Sequence, residues 1–595
     1  MPRILVLVAA VLLAAPAARA DDPPLATGNW LLSYMPVATP ERRMALIKVE
    51  TKDGKSTATL VSAGPRESVR VDGFQVEGKN VSFTLDIGVK LQFEGVVDAK
   101  DPKRVLGSFG DDQRVFFAKL VASDLETLGR QDMMAPVPLP EPMQRAQKLQ
   151  IAVARLQFKL SKTAEGEEKK ELEKKVDEAR REANEKIPGL LKEVVERDPN
   201  TQTAFDAALD LLRQADKIKA NPKEVAAWAE TAAKFAEPYG PRMQPETAAR
   251  LAEVVLSQQA FAHIALLYAE KAASDTTAPL ASQSRALKIL KEAQERTSKP
   301  ESAKATEARL AKVEGQLDAE YLKNVPPFQP TKYAGRKPGA NRVALLELFT
   351  GAQCPPCVAA DVAGDALLKA YDSKDLVLVQ YHVHIPGPDP LTNPDTVARM
   401  DHYSKVFPND VGGVPTTLFN GKPQGGGGGG MSASEEKFKE FREIIDPILE
   451  KKTDVTINVK AVRRGDVLEL EAAVGGLKDV GDELKLRLLV VEETVQYVGG
   501  NGIRFHHHVV RAMPGGAEGV ALKDLKEGKH SARVDLAELR KERTKYLDDF
   551  AAKEGPFPSS ERPLAFKDLR LVAVVQDDKS HEILQATQVE VKESK

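Results

Sequence analysis

Short apolar runs of alternating character occupy residues 21–123, and no helical pattern lies between them. Turn residues such as Asp53-Gly54 and Glu77-Gly78 separate the runs. Closely spaced strands of this kind are typical of antiparallel meanders. The pattern therefore predicts a small barrel or sandwich over residues 21–123. The strand-like runs are residues 45–49, 58–61, 69–76, 81–87, 91–97 and 115–120.

Apolar residues recur at helical spacing through the next region, residues 136–325, and proline, glycine and asparagine turns separate its segments. This layout resembles antiparallel helical hairpins of the tetratricopeptide kind, which implies an α-helical hairpin region. A charge-rich stretch, residues 165–187, is expected to be a solvated helix face. A partner-binding arm or a spacer is the alternative interpretation of that stretch.

Residues 333–452 alternate between buried-strand and helix patterns, which predicts an α/β domain. An apolar run at residues 343–349 precedes a helical pattern that begins at Val358. From residue 453 to 595 strand-like runs return, and one helix at residues 535–553 interrupts them. These runs predict a C-terminal β-rich, sandwich-like domain. The whole chain is therefore expected to be a multidomain α+β protein.

The first 20 residues have the pattern of an export signal. Arg3 supplies the positive charge, residues 4–15 the apolar run, and Ala18-Arg19-Ala20 a cleavage site that leaves Asp21 as the new start. An uncleaved anchor helix is the alternative, but the run is short for a bilayer. We therefore expect an exported protein, periplasmic or extracellular, without stable membrane insertion after cleavage. The formal net charge of −2 gives no indication of a nucleic-acid surface.

Cys354 and Cys357 are the only two cysteines in 595 residues. They lie between the apolar run and the helical pattern, in a Cys-Pro-Pro-Cys sequence, and this strand, turn and helix context favours redox chemistry. A thiolate at a helix N-terminus meets unpaired backbone N–H groups and the positive end of the helix dipole, which favour the anion. Cys354 is therefore expected to be the accessible, attacking sulfur. Cys357, about one turn further on, is expected to resolve the mixed disulfide.

Two motifs in residues 333–452 resemble the thioredoxin superfamily: the Cys354 to Cys357 motif after a strand, and Val414-Pro415 before a hairpin. The resemblance implies a cis proline at Pro415 whose loop faces the disulfide, and a Val414 that offers its backbone to an extended substrate. It implies a thiol–disulfide oxidoreductase with no cofactor other than its redox-active disulfide. Its partners would be protein thiols or disulfides and an unidentified redox partner.

The chain departs from the family pattern near the motif. Gln353 stands where a tryptophan usually precedes the first cysteine, and Leu348 stands where a buried acid is usual. Glu347 lies one residue away and would point to the other sheet face unless a bulge intervenes. Glu347 therefore remains a candidate for tuning the thiol pKa, and the direction of electron flow stays open.

Two histidines end the second predicted strand of this domain. Either His382 or His384 would tune the pKa of the cysteines or pack at the strand end. Cys354, Cys357 and His384 together would suit copper or zinc, which gives a metal-handling protein as an alternative function. A third hypothesis is a non-catalytic envelope interaction protein with a structural disulfide. The run His506-His507-His508 is expected to pack within a strand, with a metal site as the alternative.

Overall fold

The structure of the protein is a computed structural model that describes residues 25–36, 41–52, 55–64, 68–111, 114–133, 139–477 and 480–594, without the side chain of Lys526. The expected export signal, residues 1–20, lies outside these ranges. The described residues form two compact units, which divide in the chain between Leu317 and Asp318. Among the described residues, no helix combines the length and the apolar character that crossing a bilayer requires.

A single antiparallel sheet forms the first part of the N-terminal unit, in the spatial order β3-β2-β1-β8-β7-β6-β5-β4. Its two edge strands, β3 and β4, approach each other, so the sheet is nearly closed and barrel-like. Alternate side chains point inward, among them the buried rings of Trp30, Phe93 and Phe109. The predicted antiparallel meander is therefore confirmed, as a barrel-like sheet. The strands are β1 (Gly28–Met35), β2 (Arg42–Lys52), β3 (Lys55–Ser62), β4 (Arg70–Glu77), β5 (Asn80–Asp86), β6 (Lys90–Asp98), β7 (Asp101–Gly110) and β8 (Val115–Ala122).

Helices follow the sheet, and the side chains of Thr201 and Asn221 cap two of them. Asn221 and Glu224 form a reciprocal capping box, and the Thr201 hydroxyl accepts from the Ala204 N–H at 3.2 Å. The rings of Phe205 and Phe235 make T-shaped contacts with Phe117 of β8, which joins helices and sheet in one core. The helices are α1 (Glu141–Lys162), α2 (Glu167–Arg197), α3 (Gln202–Arg213), α4 (Pro222–Ala236), α5 (Met243–Leu256), α6 (Ala262–Ala272), α7 (Leu280–Arg296) and α8 (Pro300–Asn324).

In its described residues the C-terminal unit contains two sheets and four further α-helices. Its strands are β9 (Ala344–Thr350), β10 (Leu376–His382), β11 (Thr416–Phe419), β12 (Lys422–Pro423), β13 (Thr456–Arg464), β14 (Val467–Gly475), β15 (Leu484–Gln496), β16 (Phe505–Ala512), β17 (Val520–Ala521), β18 (Lys529–Asp535), β19 (Leu569–Asp577), β20 (Ile583–Glu590) and β21 (Lys592–Glu593). Its helices are α9 (Val358–Ala370), α10 (Pro394–Val406), α11 (Ser434–Leu449) and α12 (Leu536–Glu554).

The larger sheet has the order β12-β11-β9-β10-β16-β15-β19-β20, with β17 beside β15. β9 and β10 run parallel, and β10 continues parallel to β16 at Gln380 and Val509. The other neighbours in this sheet pair antiparallel. One sheet therefore includes strands from both sides of residue 452, where the sequence suggested a domain boundary.

Alternation along β9 assigns each of its residues to one of two packed layers. Leu346 and Leu348 pack with α9 and α11 on one face. Leu345 and Phe349 pack on the other face, where α10 contributes Tyr403. Because both faces are covered, every residue of β9 is buried, as expected for an interior strand of a sheet that is packed on both faces.

The smaller sheet, in the order β18-β14-β13-β21, packs over the β15 and β19 end of the larger one. Leu468 and Leu470 of β14 share a core with Leu486 and Leu571, and α12 adds Leu547. The C-terminal region is therefore β-rich, as the sequence predicted.

Candidate functional site

The two cysteines lie at the end of β9, where the chain turns into α9. The Cys354 N–H donates to the carbonyl of Gly351 at 3.0 Å, and the Cys357 N–H donates to the carbonyl of Cys354 at 3.1 Å. Gly351 is required here because a Cβ would collide with the carbonyl oxygen of Ile385. Pro355 and Pro356 form a single turn before α9, where their missing N–H groups cost no helical hydrogen bond.

Cys354 and Cys357 form a disulfide, with their Cα atoms 5.4 Å apart. Cys354 is 1% exposed and Cys357 is 0% exposed. The expectation of an accessible first sulfur is therefore wrong for this state of the protein. The burial has an identifiable cause, because three backbone segments converge on the motif.

The first segment is the loop before β11. Its Val414–Pro415 peptide bond is cis, as the resemblance implied. The carbonyl oxygen of Val414 lies 3.8 Å from the Sγ atom of Cys354. Gly412 and Gly413, just before it, have open space at the position of a Cβ. The structure thus brings together Cys354, Val414 and Pro415, which are far apart in sequence.

The second segment is the glycine run, residues 425–430. The Gly429 N–H donates to the carbonyl of Pro356 at 2.7 Å, and the Gly429 carbonyl accepts from the Ala359 N–H at 2.9 Å. That N–H belongs to the first turn of α9, so the contact satisfies a group that the helix itself leaves unpaired. A Cβ at Gly428 would collide with the Pro356 carbonyl, which explains why glycine is needed for this close approach.

The third segment connects β15 to β16, and we call it the strap, residues 497–504. The Asn501 N–H donates to the Ala352 carbonyl at 3.1 Å, and its side-chain amide donates to the Gly351 carbonyl at 3.3 Å. A Cβ at Gly499 would collide with the Ala352 carbonyl. Arg504 anchors the far end through an ion pair of 2.7 Å with Asp318. The strap therefore covers the turn that leads into Cys354.

An aspartate that the sequence analysis missed ties His382 to this turn. The Asp389 carboxylate accepts from the backbone N–H of Ala352 at 2.6 Å and from that of Leu391 at 2.8 Å. It lies 2.7 Å from Nδ1 of His382, and both side chains are buried. Burial alone would raise the pKa of the Asp389 carboxyl, but His382 and these hydrogen bonds hold that pKa below its usual range. The only sequence signal was an acid in the loop after two histidines.

The side chain of His384 packs against an aromatic ring. Its ring stacks on Phe550 with centroids 3.7 Å apart, and its Nδ1 accepts from the Asp389 N–H at 3.1 Å. Burial lowers the pKa of His384 to about 4. Within the ranges that the structure describes, no group of three or more His, Cys, Asp or Glu side chains is placed to hold a metal ion.

Glu347 lies on the α10 face of β9, as alternation predicted, away from the face that carries α9. Its carboxylate accepts from Nε and Nη2 of Arg399 at 3.0 Å each, from Tyr403 at 2.6 Å and from Tyr381 at 3.1 Å. Burial would lower the pKa of Arg399, but the Glu347 carboxylate holds that pKa above its usual range. The charge of Glu347 is therefore compensated by Arg399.

The three consecutive histidines lie on β16 and have different environments. His506 is buried against His382, with ring centroids 4.8 Å apart, and burial lowers its pKa to about 3. His508 bonds through Nδ1 to the carbonyl of Leu378 at 2.9 Å, and burial lowers its pKa to about 4. His507 points the other way, toward Asp365 of α9, with Nε2 3.9 Å from Oδ1.

Comparison with known proteins identifies no family. No family model matches the chain, and no curated protein matches it. Among solved structures, HBP35 of Porphyromonas gingivalis is 17% identical with a TM-score of 0.30, over 43% of this chain and 77% of that one. Protein AGR_C_4864 from Agrobacterium tumefaciens is 12% identical with a TM-score of 0.27, over 42% of this chain and 95% of that one. At these scores neither likeness supports a statement about fold or function.

Proposed function

We propose that this protein is an exported thiol–disulfide oxidoreductase and that residues 333–452 form a thioredoxin-like α/β domain. The observation that carries the proposal is the 3.8 Å approach of the Val414 carbonyl to Cys354 Sγ. The disulfide also lies between a buried parallel strand and the start of a helix. Motif spacing, helix position and proline position therefore agree on one reaction class.

The proposed reaction has two exchange steps. The Cys354 thiolate attacks a substrate disulfide, whose S–S bond breaks and releases one substrate thiolate. Cys357 then attacks Cys354 Sγ as a thiolate, so the Cys354–Cys357 bond forms and the second substrate sulfur leaves. Two electrons pass from the protein to the substrate, and a dithiol donor restores the reduced pair. The same steps in reverse oxidise a substrate dithiol.

Each group of the site has a role in this scheme. The positive end of the α9 dipole stabilises the Cys354 thiolate. The backbone of Val414 aligns an extended substrate so that its sulfur meets Cys354. The Asp389 carboxylate fixes the turn through Ala352 and orients His382 beside it. The two electrons are carried by Cys354 and Cys357 themselves, as the reduced dithiol.

Substrate must reach a sulfur that is covered in the described state. Besides the backbone contacts of the strap and the glycine run, Tyr497 of the strap packs with Ala352. Ile503 of the strap packs with Val358 and Val362, so these apolar side chains would also have to separate. We infer that the strap leaves the Ala352 turn before a protein substrate binds. The sheet and helices of residues 25–317 would serve to position partners.

The test is turnover of a model protein disulfide such as insulin, with dithiothreitol as the donor. The wild-type protein should accelerate reduction over dithiothreitol alone, and Cys354→Ser should remove the acceleration. Asp410→Asn, a change at an exposed loop position, is the matched control and should have wild-type activity. Equal rates with and without the wild-type protein, in both the reducing and the oxidising direction, would require withdrawal of the proposal.

A further inference from the structure

The Cys357 thiol has no direct route for its proton to solvent. Before Cys357 attacks Cys354 it must become a thiolate, because the thiolate is the nucleophile. Cys357 is 0% exposed, so bulk water does not receive the proton directly. A buried base near Cys357 would accept this proton in place of bulk water.

Asp361 lies one helical turn after Cys357 on the same face of α9. Helical side chains lean toward the helix N-terminus, so Asp361 covers the turn that Cys357 begins. Its Oδ2 accepts from the Thr350 hydroxyl at 2.9 Å, at the end of the strand that leads into the motif. Asp361 is 2% exposed, and its Oδ1 has no hydrogen-bond partner among the described residues. An acceptor with a free oxygen therefore lies on the side of the helix that Cys357 occupies.

Asp365 continues the same face by another turn. It is 8% exposed, and its Oδ1 lies 3.9 Å from Nε2 of His507 on β16. The His507 side chain is 27% exposed, so it reaches solvent. Burial raises the pKa of the Asp365 carboxyl to about 6, against the opposing effects of His507 and Lys369. Such a group exchanges protons readily near neutral pH.

We propose, resting on the oxidoreductase function above, that Asp361 accepts the proton of the Cys357 thiol and that Asp365 and His507 pass it to solvent. In the resolving step the Cys357 S–H bond breaks and an O–H bond forms at Asp361. The resulting thiolate attacks Cys354 Sγ, and the substrate sulfur leaves with the electron pair. In the reverse direction Asp361 returns the proton to Cys357 as the disulfide opens.

The charges around the two aspartates support a proton-accepting role. Burial raises the pKa of Asp361 well above its usual range, the Thr350 hydrogen bond opposes this, and the charges of Asp365 and Asp389 add to it. Burial and the charges of both aspartates raise the pKa of Tyr321 of α8. Asp361 therefore gains a proton far more readily than an exposed carboxylate would.

The experiment separates attack by Cys354 from resolution by Cys357. Reduced protein is mixed with 5,5′-dithiobis(2-nitrobenzoate) between pH 5.5 and 9. The first thionitrobenzoate released reports attack, and the second reports resolution. In Asp361→Asn the first release should stay at the wild-type rate, while the second slows by about tenfold or more at pH 7. The deficit should shrink as pH approaches about 8.5, where a free thiol ionises unaided.

Two further variants test which carboxyl groups take part in proton transfer from Cys357. Asp375→Asn removes another buried carboxyl, one paired with Arg336 at 2.7 Å, and should resolve at the wild-type rate. Asp365→Asn should slow resolution by a smaller factor than Asp361→Asn. A second release in Asp361→Asn with the wild-type rate and pH profile overturns this inference alone. A wild-type protein without any first release overturns both this inference and the proposed function.

If the Asp361→Asn protein does not fold, infrared spectroscopy of the wild-type protein provides an independent test. The infrared difference spectrum between oxidised and reduced protein should contain a carboxyl band that changes on reduction. In Asp365→Asn, which retains Asp361, this band should remain. No carboxyl change in the folded wild-type protein contradicts proton transfer to Asp361.

Discussion

Asn501 donates its backbone N–H to the carbonyl oxygen of Ala352 at 3.1 Å, which closes the strap over the turn that leads into Cys354. The contact joins residues 149 positions apart in the chain, so it is a tertiary feature of the C-terminal unit. The strap is one of the three segments that converge on the motif, whose first cysteine is 1% exposed. Access to the disulfide should therefore depend on how firmly the strap is held.

Gly499→Ala should open the strap, because the new Cβ collides with the Ala352 carbonyl. A clash that weakens the closed state by about 1.4 kcal/mol raises the open fraction about tenfold. The rate at which dithiothreitol reduces the disulfide, followed by alkylation and mass spectrometry, should rise by the same factor. Gly412→Ala, where a Cβ meets no atom within 4 Å, is the control. Unchanged reduction in Gly499→Ala would show that the strap does not limit access.

Asp389→Asn should destabilise the C-terminal unit at neutral pH, because the carboxylate bonds to Ala352, Leu391 and His382 are lost or weakened. Hydrogen bonds to a charged group are worth about 1.5–3 kcal/mol each, so we expect a loss in that range. The folded pKa of Asp389 is lowered, so its contribution is full above the unfolded value of about 3.9 and is lost as pH falls through the folded value. Hydrogen exchange of the β9 amides, followed from pH 7 to below about pH 3.9, measures the difference in unfolding free energy. If the difference in unfolding free energy between wild type and variant increased as the pH fell, the assignment would be contradicted.

Glu347→Gln should also destabilise this unit, through a different mechanism. Removing one partner of a buried pair leaves the Arg399 charge uncompensated, at a cost of about 3–5 kcal/mol. Glu435→Gln, which breaks an exposed pair with Lys439, should cost about 0.5 kcal/mol or less. Hydrogen exchange of β9 gives both values. Similar small effects of the two changes would mean that Glu347 does not support the core.

The buried histidines should make stability fall as pH decreases from neutrality. Burial holds the pKa of His506 at about 3 and that of His508 at about 4, against about 6.5 in an unfolded chain. Between these values the unfolded chain binds protons that the folded chain does not, so stability decreases toward acid by about 1.4 kcal/mol per pH unit for each histidine. His506→Gln should reduce the change of unfolding free energy with pH, near pH 5, by about 1.4 kcal/mol per pH unit. An unaltered slope in this variant would place the proton uptake elsewhere.

Local patterns in the sequence predicted much of the architecture. Alternation predicted the antiparallel N-terminal sheet, and helix spacing predicted α9 from Val358. The side-chain period of two along β9 placed Glu347 opposite Leu348, which is what the packing shows. These features are local, since each depends on neighbours within a turn or a strand.

Features that depend on distant pairing could not be predicted in the same way. The pairing of Gln380 with Val509 makes β16 a neighbour of β10, and no local pattern indicates that partner. The strap, one of the three segments that converge on the motif, enters the site from that distant part of the chain. Asp361 did carry a signal, because Cys357, Asp361 and Asp365 repeat every four residues on a helix that is otherwise mostly alanine, valine and leucine.

The most direct measurement of the central claim is the trapping of a mixed disulfide. Cys357→Ser leaves Cys354 as the single thiol of the chain, so any adduct formed with a protein disulfide must be at Cys354. We predict that Cys357→Ser incubated with oxidised insulin gives a covalent complex, seen by mass spectrometry and released by dithiothreitol, and that Cys354→Ser gives none. No complex with Cys357→Ser, even when Gly499→Ala is added to open the strap, would contradict the account.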